Sequence, residues 1–160
     1  MSDLNFYERF NELQTKLKAP KNQYNSFGKY RYRNAEDILE AVKPLNNDYK
    51  VTLLLKDDIV QFGERFYVKA TATLIDSVDP NNKIEASAFA RESLTKKGQD
   101  DSQITGTASS YARKYALNGL YLIDDTKDAD TDEYQNQSNN SKQNNNPQPD
   151  PLNDKLTVTF

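Results

Sequence analysis

Apolar positions recur at helical spacing in three stretches of the chain, and a run of alternating or continuous apolar residues lies between the second and third. Phe6, Phe10, Leu13 and Leu17 stand on one face among charges, which predicts a first helix over about residues 3–18, with Asp3 as its cap and Pro20 ending it. Asn34 precedes AEDILEAVKPL, where Ile38, Leu39, Val42 and Leu45 form an apolar stripe. Asn34 with Asp37 also fits the pattern that opens a helix, so a second one is expected at about 35–46. The third runs from Ser102 to about Asn118. Its stripe is Ile104, Ala108, Tyr111, Ala112, Tyr115 and Gly119, while Thr105, Ser109, Arg113 and Leu117 lie off that face.

Strand signals fill residues 49–94. YKVTLLLK at 49–56 is β-branched and apolar, residues 59–60 and 65–76 continue as strands around Gly63, and VDPNN at 78–82 is a strong turn. Alternation in KIEASAFARESL at 83–94 puts Ile84, Ala86, Ala88 and Ala90 on one face and Glu85, Ser87, Phe89 and Arg91 on the other. Three successive antiparallel strands make a meander. The order helix, loop, helix, three strands, helix reads as an α+β fold with the helices packed on one face of the sheet. The small side chains of the third helix permit close packing on that sheet, and residues 120–123 are expected to tuck back into the core.

Composition limits how much of the 160-residue chain can join that core. The closing stretch has few apolar residues and reads QNQSNNSKQNNNPQPDPLND from Gln135. Such a sequence cannot bury enough surface to offset its ordering entropy. One domain over residues 1–130 and a disordered polar tail over 131–160 are expected. The chain has no cysteine and no histidine, which excludes disulfides, thiolate or imidazole metal sites, and Cys or His catalysis. No signal peptide or membrane span is visible, so a soluble cytoplasmic protein is the default.

Charge divides unevenly along the chain. Residues 1–123 hold 18 Lys and Arg against 16 Asp and Glu, whereas residues 124–160 hold 3 against 8. A body that tolerates a polyanion is followed by an acidic exit. Within the body, residues 16–33 carry Lys16, Lys18, Lys21, Lys29, Arg31 and Arg33 without one carboxylate, interleaved with Tyr24, Phe27, Tyr30 and Tyr32. Cations neutralise phosphates and ring faces stack on unpaired bases, so this loop or irregular ribbon suits single-stranded nucleic acid. A solvated loop with tyrosines packed on the domain is the alternative.

Arg113 and Lys114 offer a second cationic point, on a helix whose flank holds Gly106, Ser109 and Ser110. Small residues there would admit a phosphate backbone, with Ser109 donating a hydrogen bond. Neighbouring helical residues point about 100° apart, so one cation in a salt bridge and one in solvent is an equally good reading. The acids Asp124, Asp125, Asp128, Asp130, Asp132 and Glu133 lack the glycine and closing glutamate of a calcium loop, and no metal is expected. No phosphate-cradling glycine loop or Walker lysine is present either, so ATP hydrolysis is unsupported.

Two blocks together carry a resemblance. GKYRYRNAEDILEAVKP at 28–44 and DSQITGTASSYARKYALNGLYLIDDTKDAD at 101–130 resemble the ERF, or essential recombination function, family of phage single-strand annealing proteins. That likeness implies a non-enzymatic recombinase, without cofactors, that coats single-stranded DNA, anneals complementary strands without ATP and assembles as rings or helical filaments in the cytoplasm of an infected host. It also implies a meander-plus-helix core similar to that of other annealing proteins, and a basic groove lined by Arg113 and Lys114 with Lys29, Tyr30, Arg31 and Arg33 as the second contributor. The other readings are a single-strand-binding protein that does not anneal, a magnesium-dependent nuclease, and an interaction protein whose tail, with Leu156, Val158 and Phe160, recruits a host or replication partner.

Overall fold

The computed structural model describes residues 4–95, 97–98 and 100–123. Along the chain come α1 (Phe6–Lys16), β1 (Gln23–Asn25), β2 (Tyr30–Tyr32), α2 (Ala35–Asp48), β3 (Val51–Phe62), β4 (Arg65–Asp76), β5 (Lys83–Arg91) and α3 (Asp101–Tyr121). The expected acidic exit and polar tail lie outside the described residues.

Each helix opens on a reciprocal capping box, in which a short polar side chain and the residue three further on satisfy each other's backbone amides. Asn34 with Asp37 does this for α2, as the sequence predicted, and Asp100 with Gln103 does it for α3. At α1 the cap is Asn5, whose side chain accepts from the amides of Tyr7 and Glu8 while Glu8 returns to the Asn5 amide. This corrects the expected cap at Asp3. Asn5 wins because Glu8 stands three residues beyond it.

Strands β3, β4 and β5 form an antiparallel meander in that spatial order, and β1 pairs with β2 in a separate two-stranded ribbon. Strand β4 buries Val68, Ala70, Ala72, Leu74 and Asp76, and the register sets Leu53, Leu55, Ala86 and Ala88 on the same face. Helix α3 lies across β4 and β5, while α2 packs beside it against β3. The described helices leave the other face of the sheet uncovered, and its strand residues stay exposed or half-buried among the described residues.

Alanines explain how closely α3 sits. Ala108, Ala112 and Ala116 share one core cluster with the sheet's Ala70 and Ala72, so short side chains meet short side chains. Tyrosines do not fit between surfaces that close. Tyr111 and Tyr115, expected in the buried stripe, therefore stand exposed at its rim, and Leu117, expected off it, is fully buried. Leu120 and Tyr121 close the core as the last turn of α3, where Tyr121 meets the Phe10 ring at 6.4 Å and Gln14 of α1 donates to the Leu120 carbonyl at 2.8 Å.

A buried ion pair fastens α1 to the sheet. The Arg9 guanidinium lies 2.8 Å from the Asp76 carboxylate and donates to the Tyr49 and Lys50 carbonyls where α2 runs into β3. The sequence shows both charges but not their meeting, because sixty-odd residues separate them. No described helix is long and apolar enough to cross a membrane.

Candidate nucleic-acid interface

The ribbon is built to hold rings in water. Its register pairs Gln23 with Tyr32, Tyr24 with Arg31, and Asn25 with Tyr30. Tyr30 and Tyr32 thus share one face, edge-on at 6.1 Å, while Tyr24 and Arg31 take the other. At the tip the Asn25 side-chain Oδ1 accepts from the backbone amides of Phe27 and Gly28 at 3.0 and 2.9 Å. A Cβ at Gly28 would run into the Tyr30 ring, so any larger residue there would push that exposed ring aside. Lys29 follows in the left-handed region, with φ of 54°. This turn drives Phe27 outward, where it is 99% exposed.

Two ties anchor the ribbon to the body. The Gln23 side chain donates to the Asp37 carboxylate at 3.0 Å, and the Arg33 guanidinium donates to the Ala19 carbonyl. Arg33, expected among the cations that meet DNA, is only 7% exposed. The chain is already turning into α2 at Arg33, and its guanidinium donates to the carbonyl of the segment leaving α1. It positions Lys29, Tyr30 and Arg31, which remain exposed.

On α3 the neighbouring cations diverge. Arg113 and Ser109, one turn apart, both reach the Asp57 carboxylate of β3: Ser109 Oγ donates at 2.6 Å and Arg113 Nε at 3.0 Å. Both were expected to face a phosphate backbone. In the structure they join helix to sheet, because Asp57 occupies an inward register position opposite the buried Ala70, and Arg113 keeps 42% of its side-chain surface exposed. Lys114 points elsewhere, its Nζ 5.7 Å from the Tyr111 ring centroid and 5.1 Å from that of Tyr115. Of the reading with one salt-bridged and one solvated cation, the first half holds. The second cation rests on exposed rings rather than standing alone.

A family model described as the ERF superfamily matches residues 6–157. The chain belongs to the ERF superfamily. It is 59% identical over 134 residues to the "Essential recombination function protein" of Salmonella phage P22, which covers 84% of this chain and 63% of that relative. The chain therefore spans less than two thirds of that protein's length. No solved structure matches.

In this ERF chain, sequence reasoning overlooked Asp57 although a signal existed. Residues 51, 53, 55 and 59 of β3 are Val, Leu, Leu and Ile, so a carboxylate at 57 breaks an inward apolar phase and calls for a partner. The ERF ribbon and the ERF helix α3 are anchored separately, one to Ala19 and α2, the other to the sheet.

Proposed function

We propose that this chain binds single-stranded DNA and anneals complementary strands without ATP in phage-type homologous recombination, working as a ring or helical homo-oligomer in the cytoplasm of an infected host. The observation that carries this reading is the ribbon, where Phe27, Tyr24, Tyr30, Tyr32, Lys29 and Arg31 all stand exposed on a short, firmly anchored hairpin. Membership of the ERF superfamily and the name of the phage relative support it.

The mechanism follows from charge and stacking. Two strands repel through their phosphates, so cations along one strand lower the cost of bringing up its complement. Stacking on ring faces holds bases unpaired and is indifferent to sequence. Lys29, Arg31 and Lys114 meet phosphates, Tyr30 stacks, and Arg33 holds the ribbon in place. One subunit grips weakly, and repetition along the strand raises the effective affinity. No bond is made or broken, so the protein acts as a binding machine and not an enzyme.

Anisotropy of a labelled oligothymidylate, titrated with salt, tests the binding step. Arg31→Ala and Lys114→Ala should each weaken binding and flatten the salt slope by about 0.7. Salt-independent binding, or binding unchanged in both variants, defeats the assignment.

A further inference from the structure

The face of the sheet turned away from the helices carries a second group of rings and cations. Residues opposite in register share a face, and Phe62 pairs with Arg65, Tyr67 with Arg91, and Lys69 with Phe89. All six therefore gather at one end of the open face. The Phe62 ring lies edge-on to Tyr67 at 5.6 Å and to Phe89 at 6.3 Å, and Lys69 Nζ is 5.9 Å from the Phe89 ring centroid. Arg65 and Arg91 are exposed, and their side chains have no hydrogen-bond or ion-pair partner among the described residues. Asp58, which pairs with Lys69 in register, is engaged by Lys56 at 2.9 Å.

This patch continues over the edge of the sheet. Strand β5 is an edge strand, and a groove of about 420 Å³ runs between it and α3. Phe89 and Arg91 form one wall; Tyr111 and Tyr115 form the other, with Lys114 lying over both tyrosines. A belt of rings and cations thus wraps from α3 across β5 onto the open face. Phe62, Phe89, Tyr111 and Tyr115 leave apolar surface exposed, yet the arginines beside them, whose side chains have no partner among the described residues, suit an anionic occupant. A single-stranded polynucleotide meets both demands, because it carries a ring and a negative charge at every step.

We propose that a single strand of nucleic acid crosses the β5 edge, its bases against Tyr111, Tyr115, Phe89 and Phe62 and its phosphates against Lys114, Arg91, Lys69 and Arg65. This path rests on the single-strand function proposed above and adds the sheet to the ribbon as a surface for the strand. It also discriminates against duplex. Paired bases have no free faces to offer these rings, so annealing weakens the hold on the product.

The test uses the full chain with labelled oligothymidylate and the variants Phe62→Ala, Phe89→Ala, Lys69→Ala and Arg91→Ala, all on the solvent face. Their melting temperatures should stay near that of the parent. Each ring variant should weaken binding by roughly 5- to 100-fold with the salt slope kept. Lys69→Ala and Arg91→Ala should each flatten the slope by about 0.7. Photocrosslinking to an iodouracil-substituted strand should label Phe89, Tyr111 or Tyr115. If the parent binds no single strand, the proposed function itself falls. If the parent binds and Arg31→Ala weakens it while all four sheet variants bind like the parent, the path alone is overturned. A change in assembly mass with affinity retained also overturns it, and assigns the face to contacts between copies of the chain.

Discussion

Arg113 holds both oxygens of Asp57: its Nε lies 3.1 Å from Oδ1 and 3.0 Å from Oδ2, and its Nη2 lies 3.0 Å from Oδ2. With the Ser109 hydroxyl on the same carboxylate, this joins the edge strand β3 to α3. The guanidinium keeps 42% of its side-chain surface exposed, so solvent screening limits its worth. Asp57→Asn should cost about 1–2 kcal/mol in chemical denaturation, most of it from the hydrogen bonds to a charged acceptor. The freed Arg113 should then strengthen single-strand binding and steepen its salt slope. Arg113→Ala should lower stability where Lys114→Ala does not. Equal stability in these two variants would show that the Asp57 contact contributes nothing.

Phe27 supports no packing, being almost wholly exposed at the ribbon tip. Phe27→Ala should leave the melting temperature unchanged and still reduce oligothymidylate affinity, with Phe27→Tyr restoring it. A stacked base is worth about 1–3 kcal/mol, so the loss should be plain in anisotropy. A lower melting temperature with unaltered affinity would place the ring in the fold instead.

The Tyr121 hydroxyl is buried without a hydrogen-bond partner among the described residues, and that burial pushes its pKa up. An unpaired buried hydroxyl costs more than it returns. Tyr121→Phe should therefore stabilise the chain by roughly 0.5–1.5 kcal/mol in a urea titration. Destabilisation would reveal that the hydroxyl is satisfied.

Asp76 should contribute to the response to acid. Burial pushes its carboxyl up, but the Arg9 guanidinium and the Val78 amide outweigh this and hold it below the usual carboxylate range. A carboxylate whose pKa is lower in the folded than in the unfolded chain stabilises the fold fully above the unfolded value. It loses that contribution as pH falls through the folded value. The melting temperature should thus be level above about pH 5 and decline below about pH 4. Asp76→Asn should flatten that decline and cost roughly 3–5 kcal/mol near neutrality, since Arg9 is left buried without its counter-charge. A decline of equal steepness in the variant would assign acid sensitivity to other groups.

What could be read from the sequence was what neighbouring residues decide. Asn34 and Asp37 announce the start of α2, and the alternation from Ile84 to Ala90 announces the buried face of β5. Both depend on contacts within a few positions. The rim placement of Tyr111 and Tyr115 depends on the alanines of β4 meeting those of α3, and helical periodicity cannot distinguish the centre of a stripe from its edge. The same holds for the cations of the site. Lys29 and Arg31 are exposed on the ribbon as expected, whereas Arg33 was claimed by the carbonyl of Ala19 and Arg113 by Asp57, partners set by the tertiary fold. The aromatic end of the open sheet face was hidden for a related reason: Phe62, Tyr67 and Phe89 come from three strands and meet only through their register.

In the function proposed above, this chain brings complementary single strands together by binding alone. Two complementary oligonucleotides bearing a donor and an acceptor dye, mixed with the chain in the absence of ATP and divalent metal, measure it directly. Energy transfer should rise faster than in protein-free strands, and Arg31→Ala and Lys114→Ala should each slow the rise. A rate equal to or below that of the free strands, with the chain bound to them, would contradict it and leave a protein that covers single strands without pairing them.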